Sequence, residues 1–293
     1  MAITAAMVKE LRERTGAGMM DCKKALTDAN GDLEAAIEDM RKSGAAKAVK
    51  KAGRVAAEGQ VAIMVTEDRK KAAIIEVNCE TDFVAKDDSF NNFAMAVASK
   101  VLESGKTDIT QLIEETLADG STVEKSRQDL VAKIGENIQL RRAEYFETSD
   151  GFLGSYRHGT RIAVVTELLG GDEALSRDIS MHIAASRPVC IDEAQVPSDL
   201  LENEKKIFTA QAEKSGKPPE IAEKMVVGRL KKYLKEVTLT GQPFVKDPDQ
   251  TVGQLLKKAD ASIVRFVRLE VGEGIEKKKE DFAEEVMAQV KAS

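Results

Sequence analysis

Residues 61–77, VAIMVTEDRKKAAIIEV, decide the fold class. Two runs rich in Val, Ile and Ala, Val61–Thr66 and Ala72–Val77, flank the charged tetrad Glu67-Asp68-Arg69-Lys70, the pattern of two strands joined by a hairpin. Downstream the period changes. Phe90–Leu102 is Ala-rich and spaced for helix, more helix is expected over Ile109–Leu117 and Val123–Ile134, and Asn137–Glu147 returns to strand character. A second cycle repeats this order: a strand from Phe152, a turn at His158-Gly159, a strand over Arg161–Leu169 and a helix from Asp172 to Ser186. A strand pair followed by helix, twice over, predicts an α+β protein with two related core subdomains.

Upstream, residues 4–44 read as three short helices. Thr4 caps the first, Asn30-Gly31 stops the second, and Asp32 caps a third whose Leu33, Ala36, Ile37 and Met40 form one apolar stripe. From Arg41 to Ala57 there are six basic residues and no acid, read as a solvated, partly helical linker rather than a nucleic-acid patch.

Downstream, all six prolines fall between Pro188 and Pro248. They bracket two charged amphipathic stretches, Leu200–Lys214 and Glu220–Lys235, joined by Ser215-Gly216-Lys217-Pro218-Pro219: an inserted helical hairpin. The chain then returns through strand-like Val237–Thr240, a helix near Val252–Ala259 and a strand over Ile263–Val271, with a last charged helix expected over Ile275–Lys291. The expected division is 1–54 (three-helix module and basic linker), 55–147 (first core subdomain), 148–187 with 236–270 (second core subdomain), 188–235 (hairpin) and 271–293 (C-terminal helical module).

Composition narrows the function. The 293 residues include nine Phe, three Tyr and no Trp, too few aromatics for a single-strand stacking platform. The net charge of −6 disfavours a direct nucleic-acid binder. Charge is uneven, with +3 in residues 1–54 and −9 in the rest, so the two parts face different surroundings. Three widely spaced cysteines, Cys22, Cys79 and Cys190, fit a reducing compartment. The longest apolar run, Phe93 to Ala98, is far too short to span a bilayer, and no signal-peptide core is present at the N-terminus. A cytoplasmic protein without membrane contact is expected.

Catalytic chemistry is hard to find. Gly105-Lys106-Thr107 follows a helix rather than a strand and lacks the first glycine of a phosphate-binding loop. Two histidines, His158 and His182, give no metal-ligand spacing, and no nucleophile elbow exists. Neither a metal, a cofactor nor an enzyme is expected. One segment resists a bland reading: Glu76-Val-Asn-Cys-Glu-Thr-Asp-Phe-Val-Ala-Lys86. Thr81 and Asp82 are cap types at a strand end, and Phe83 follows directly. Phe83 either folds back as a hydrophobic staple or projects from the turn. Met19-Met20 is similar, since two methionines opening a helix cannot both point inward and one becomes an adaptable surface contact. His158 is a turn residue or an exposed contact.

These segments carry a resemblance. Leu11-Arg-Glu-Arg-Thr-Gly-Ala-Gly-Met-Met-Asp-Cys-Lys-Lys-Ala-Leu26 and Asn78-Cys-Glu-Thr-Asp-Phe-Val-Ala-Lys86 resemble the two signature motifs of the bacterial elongation factor Ts family. The likeness continues through Gly154–Gly159, Met181–Ala185, Leu239–Phe244, Thr251–Leu256 and Glu270–Gly274, in order and over essentially the whole chain. It implies a guanine nucleotide exchange factor for the translational GTPase elongation factor Tu, binding its GDP-bound and nucleotide-free forms. It implies a first module similar to ubiquitin-associated domains, a two-part core, a hairpin used for homodimerisation and a C-terminal helical module. Carried over by position, Thr81, Asp82, Phe83 and Val84 are the segment that dislodges Mg²⁺ from the partner. Phe83 is its wedge. Arg12, Met19 and Met20 grip a surface helix of the GTPase, and His158 lies in the subdomain that docks on the partner's third domain. The competing readings are a non-catalytic adaptor working through the N-terminal bundle, an RNA binder using the basic run, and an enzyme using Cys79.

Overall fold

The computed structural model describes residues 3–15 and 17–276. It opens with α1 (Ala5–Thr15), α2 (Met19–Asp28) and α3 (Leu33–Lys51). Thr4 caps α1 by accepting from the Met7 N–H at 3.3 Å, and Asp32 caps α3 by accepting from Glu34 and Ala35. Asn30 and Gly31 both take positive φ, and the Gly31 N–H returns to the Leu26 carbonyl, closing α2. Val8, Leu11, Cys22, Leu26, Ala36 and Ile37 form the bundle's own small core.

The basic run is helix as far as Lys51, and residues 52–57 make an irregular join to the strand that follows. Helix α3 continues through it to Lys51, with Ala48 buried in the main core and Lys51 donating to the Gly135 carbonyl. A Cβ added at Gly44 would sit 3.2 Å from the Ala132 Cβ, so this glycine lets α3 approach the helix beneath it closely. Small residues at 44, 45 and 48 give one side of the helix a dockable surface, which a charge count conceals.

Next come β1 (Glu58–Val65), β2 (Lys71–Cys79), α4 (Asp88–Ser104), α5 (Ile109–Leu112), α6 (Val123–Ile134) and β3 (Gln139–Glu147). Helix α5 stops five residues short of the expected Leu117, because Asp119-Gly120 turns the chain and Thr122 caps α6. Gly105, the glycine of the false phosphate loop, is the left-handed cap that ends α4. The second cycle supplies β4 (Phe152–His158), β5 (Ile162–Leu169) and α7 (Glu173–Ser186). The hairpin α8 (Ser198–Glu213) and α9 (Pro219–Val237) follows, then β6 (Pro243–Phe244), β7 (Asp247–Thr251), α10 (Val252–Lys258) and β8 (Ser262–Glu270). Val237–Thr240 is no regular strand: it is the end of α9, one bridge from Thr238 to Cys190, and a turn. The expected helix over Ile275–Lys291 lies almost wholly outside the described residues; residues 271–274 form turns.

The strands form two antiparallel three-stranded sheets, β1-β2-β3 and β4-β5-β8. Alternation explains their layering. On β2, Ala72 and Ile74 join a core shared with Leu153, Ala163, Val165 and Leu269 of the second sheet, while Ala73, Ile75 and Val77 face α4. On β5, Ala163 and Val165 face the first sheet and Val164 and Leu168 pack in the cluster containing Ile179, Ile183 and Leu256. The two sheets therefore lie face to face with helices outside each. Central strands buried on both faces read as continuous apolar runs rather than alternation, as Ala72–Ile75 of β2 does before Glu76 interrupts it.

One detail ties the two halves together. Glu76 pairs across β2–β3 with Arg142, immediately before a register shift; Glu167 pairs across β5–β8 with Arg265, again immediately before one. Both pairs are ion pairs, at 2.7 and 3.0 Å. The same acid, base and bulge recur at the same place in the two cycles.

Candidate functional site

Strand β2 ends at Cys79, and the chain must turn before α4. Asp87 caps α4, accepting from Ser89 at 2.8 Å and Phe90 at 3.2 Å, so the turn is confined to Glu80–Lys86. Within it, the Thr81 carbonyl accepts from Ala85 and the Thr81 hydroxyl accepts from the Val84 N–H at 3.4 Å. Residues 84–86 close as one short helical turn with Val84 and Ala85 buried in the main core. Pinning the two following residues inward sends the preceding side chain out. Phe83 is 80% exposed. The staple alternative is thereby excluded.

Asp82 does not cap the turn. Its carboxylate pairs with Lys86 at 2.8 Å, and that hydrogen bond is the main reason its pKa sits below the ordinary carboxylate value. Thr81 does serve as a partial cap, and its hydroxyl also donates to Glu136. Val84 stands apart from its three neighbours: its side chain belongs to the core, so only Thr81, Asp82 and Phe83 present side chains toward solvent. Glu136 is a site residue that the sequence reading missed. It lies 55 residues from Thr81, and no local pattern marks it.

Arg12 is exposed on α1, and Met19 and Met20, at the start of α2, are 61% and 75% exposed. Gly18 enters α2 in extended conformation with no side-chain cap, which leaves both thioethers clear of the bundle core. The expectation that at least one would face outward is exceeded.

His158 is exposed at the end of β4, where its Nδ1 lies 3.3 Å from the Tyr156 hydroxyl and the two rings stack with centroids 6.4 Å apart. It borders a groove of about 450 Å³ lined by Tyr156, Ile162, Met181, Arg187 and Val245. The other histidine is structural. His182 is fully buried; its Nδ1 accepts from the Val245 N–H and its Nε2 therefore donates to Gln242. Burial pushes its pKa down, against the Gln242 hydrogen bond, and keeps it neutral. Phe83, the two methionines and His158 sit on separate elements, and among the described residues no hydrogen bond or ion pair joins them.

The enzyme reading turns on Cys79. The Cys79 thiol is buried, donates to the Thr81 carbonyl at 3.2 Å, and is pushed up to about 12, first by burial and then by Glu136 and Glu58. A thiol in that state is not a nucleophile at neutral pH. Iodoacetamide should accordingly label Cys190, which is partly exposed, and leave Cys22 and Cys79 unmodified until the protein is unfolded; mass spectrometry of native protein showing Cys79 labelled first would contradict this. Among the described residues no cluster of three His, Cys, Asp or Glu could hold a metal ion, and no helix is long and apolar enough to cross a membrane.

Comparison with known proteins bears on these surfaces. A family model described as "Elongation factor TS" matches residues 80–273. Elongation factor Ts of Thioalkalivibrio sulfidiphilus is 65% identical over 294 residues, covering 100% of both chains. That of Methylococcus capsulatus is 61% identical over 293 residues, again with 100% of each covered, and that of Idiomarina loihiensis is 58% identical over 100% of this chain and 99% of the relative.

Proposed function

The chain belongs to the elongation factor Ts family, and from that premise we propose that it is a guanine nucleotide exchange factor for elongation factor Tu in peptide-chain elongation. It binds the GDP complex, promotes release of Mg²⁺ and GDP, and leaves the GTPase free to load GTP. The observation that carries this reading is Phe83, a large aromatic held 80% exposed by a turn whose next two residues are locked in the core. Such a side chain contributes little to its own fold and has its apolar area available for a partner.

The physics requires no chemistry from this chain. A factor that binds the nucleotide-free GTPase better than the GDP-bound form weakens GDP affinity by the same ratio, because coupling between two sites is reciprocal. Phe83, with Thr81 and Asp82 beside it, is the wedge that disturbs the Mg²⁺ site; the Val84 side chain supports it from within. Arg12, Met19 and Met20 provide affinity on a second surface, and the His158 groove a third. The residue ranges 1–54, 55–147, 148–187 with 236–270, 188–235 and 271–293 serve as the working division, with 1–54 firmly docked through α3 instead of tethered. The hairpin, whose Ile207, Ile221 and Val227 are exposed, is the surface through which two copies would pair, an association that sedimentation velocity measures.

Stopped-flow release of a fluorescent GDP analogue from elongation factor Tu tests the function directly: the rate should rise steeply with added factor. A pure adaptor or an RNA binder leaves it unchanged. Replacing Met19 and Met20 together by Ala should raise the concentration needed for half-maximal release by roughly 10-fold, the effect of losing about 1.4 kcal/mol of contact energy. Melting should not change, because both side chains already face solvent. Unaltered half-saturation in a folded double variant would remove these methionines from the interface.

A further inference from the structure

We propose that Glu136 is a positioning residue for the Phe83 wedge, holding the turn that carries it through a carboxylate clamp. The proposal rests on the exchange-factor reading of the same site. One oxygen of Glu136 accepts from the Glu80 N–H at 3.1 Å and the Thr81 N–H at 3.0 Å; the other accepts from the Thr81 hydroxyl at 2.7 Å. Two backbone amides and a hydroxyl converge on one carboxylate, an arrangement of charge-assisted bonds that fixes orientation as well as distance. The bonds engage the two residues directly before Asp82-Phe83.

The clamp is reciprocal. While Glu136 holds the backbone of Glu80, the N–H of Asn137 donates at 2.6 Å to the Glu80 carboxylate, which also pairs with Arg54 at 3.0 Å. Its base is rigid. Gly135 ends α6 in a left-handed conformation, and Asn137 and Ile138 are fully buried. The Asn137 side-chain amide donates to the carbonyls of Ala52, at 3.3 Å, and Arg54, at 2.7 Å, while Lys51 donates to the Gly135 carbonyl. Residues 135–137 thus grip both the wedge-bearing turn and the segment just after α3. A wedge acts only if it arrives pre-aimed, since a displacement of about 1 Å is enough to cost on the order of 100-fold in a positioned reaction. Apolar contacts hold Val84 and Ala85 behind Phe83. On the other side the turn is held by Glu136.

The test uses the full chain and the variant Glu136→Ala. Maximal GDP release from elongation factor Tu should fall about 10-fold while the half-saturating concentration, set by the other docking surfaces, shifts less than about twofold. In the free protein the Glu80 and Thr81 amides should exchange hydrogen faster, which needs no partner to observe. In a Phe83→Ala background Glu136→Ala should add nothing to the loss of maximal rate, since both act through one side chain. A full maximal rate in folded Glu136→Ala, unchanged amide exchange, or a second independent ~10-fold loss in the double variant overturns the proposal while leaving the exchange-factor reading intact. A wild-type protein that fails to accelerate GDP release overturns both. Should Glu136→Ala not fold, Glu136→Gln is measured instead: it keeps the length and one accepting oxygen but not the charge, so a loss of about threefold supports the clamp and a full rate overturns it.

Discussion

Phe83→Ala slows maximal GDP release from elongation factor Tu by about 10- to 100-fold and leaves the melting temperature close to that of the parent protein. The two halves of this expectation come from one fact, the 80% exposure of the ring. An exposed phenylalanine has almost no apolar area to lose from the fold, whereas a buried Phe→Ala change costs roughly 3–5 kcal/mol. In the complex the same ring is a buried aromatic anchor, and losing about 1.4–2.8 kcal/mol of it corresponds to the stated range of rates. Its neighbours should differ in kind. Val84→Ala, in the core behind the ring, lowers stability and slows exchange less than Phe83→Ala does, because it loosens the wedge's support without removing the wedge; Asp82→Ala loses an exposed pair with Lys86 and has the mildest phenotype. Stopped-flow release and thermal unfolding on the same preparations decide it. A well-folded Phe83→Ala protein with normal exchange would leave the mechanism without its wedge.

Much of this was readable from local pattern. Apolar runs rich in Val, Ile and Ala located β2 and β5, cap and stop residues marked α1, α2 and the start of α3, and the proline cluster bracketed the hairpin. These signals are short-range, arising within a few residues of the feature they mark. What escaped was long-range. The aim of Phe83 depends on whether Val84 and Ala85 find a core beneath them, and that core is built from strands and helices on either side of the turn. The helical continuation of α3 depends on docking against Ala132 and Gly135, some 90 residues away, while the sequence there advertises only charge. Glu136 carries no motif at all, because two of its three partners are backbone amides, which any residue could supply, and the third, the Thr81 hydroxyl, lies 55 residues away. The same holds for the small β6–β7 ladder, two and five residues long, whose pairing is too short to leave a periodicity.

Glu76 illustrates the same limit and gives the largest expected effect on stability. Its side chain is 0% exposed on the face of β2 that meets the second sheet, a position where sequence alternation alone demands an apolar residue. The charge survives there because every approach is satisfied. Arg142 donates at 2.7 Å, Arg141 at 3.0 and 3.2 Å, the Asn78 amide at 3.1 Å, and the Gly272 N–H, from the turn after β8, at 2.8 Å. Burial by itself would raise the pKa. The Gly272 N–H, Arg142, Arg141 and Asn78 together overcome it and hold the carboxyl below its ordinary value. Glu76→Ala leaves the Gly272 N–H and the Asn78 amide without this acceptor and removes a tie between the two sheets. Breaking a buried pair costs about 3–5 kcal/mol, and because both arginines are partly exposed and can turn to water, the low end applies. At roughly 2–4 °C per kcal/mol for a chain of this size, melting should fall by about 6–12 °C. Glu38→Ala, which removes only an exposed pair with Lys42, should leave melting unchanged. The pH dependence follows from the direction of the shift. A carboxyl with a depressed folded pKa contributes its full stability above the unfolded value of about 4.3 and loses it as pH falls through the lower folded value. The stability gap between the parent and Glu76→Gln should therefore be constant from neutral pH down to about 4.5 and narrow below about pH 4. Urea titrations at a series of pH values measure that gap directly; one that stayed constant to pH 3 would mean that the Glu76 carboxyl has the same pKa folded and unfolded, and one that widened as pH fell from neutrality would mean that it is neutral in the folded protein.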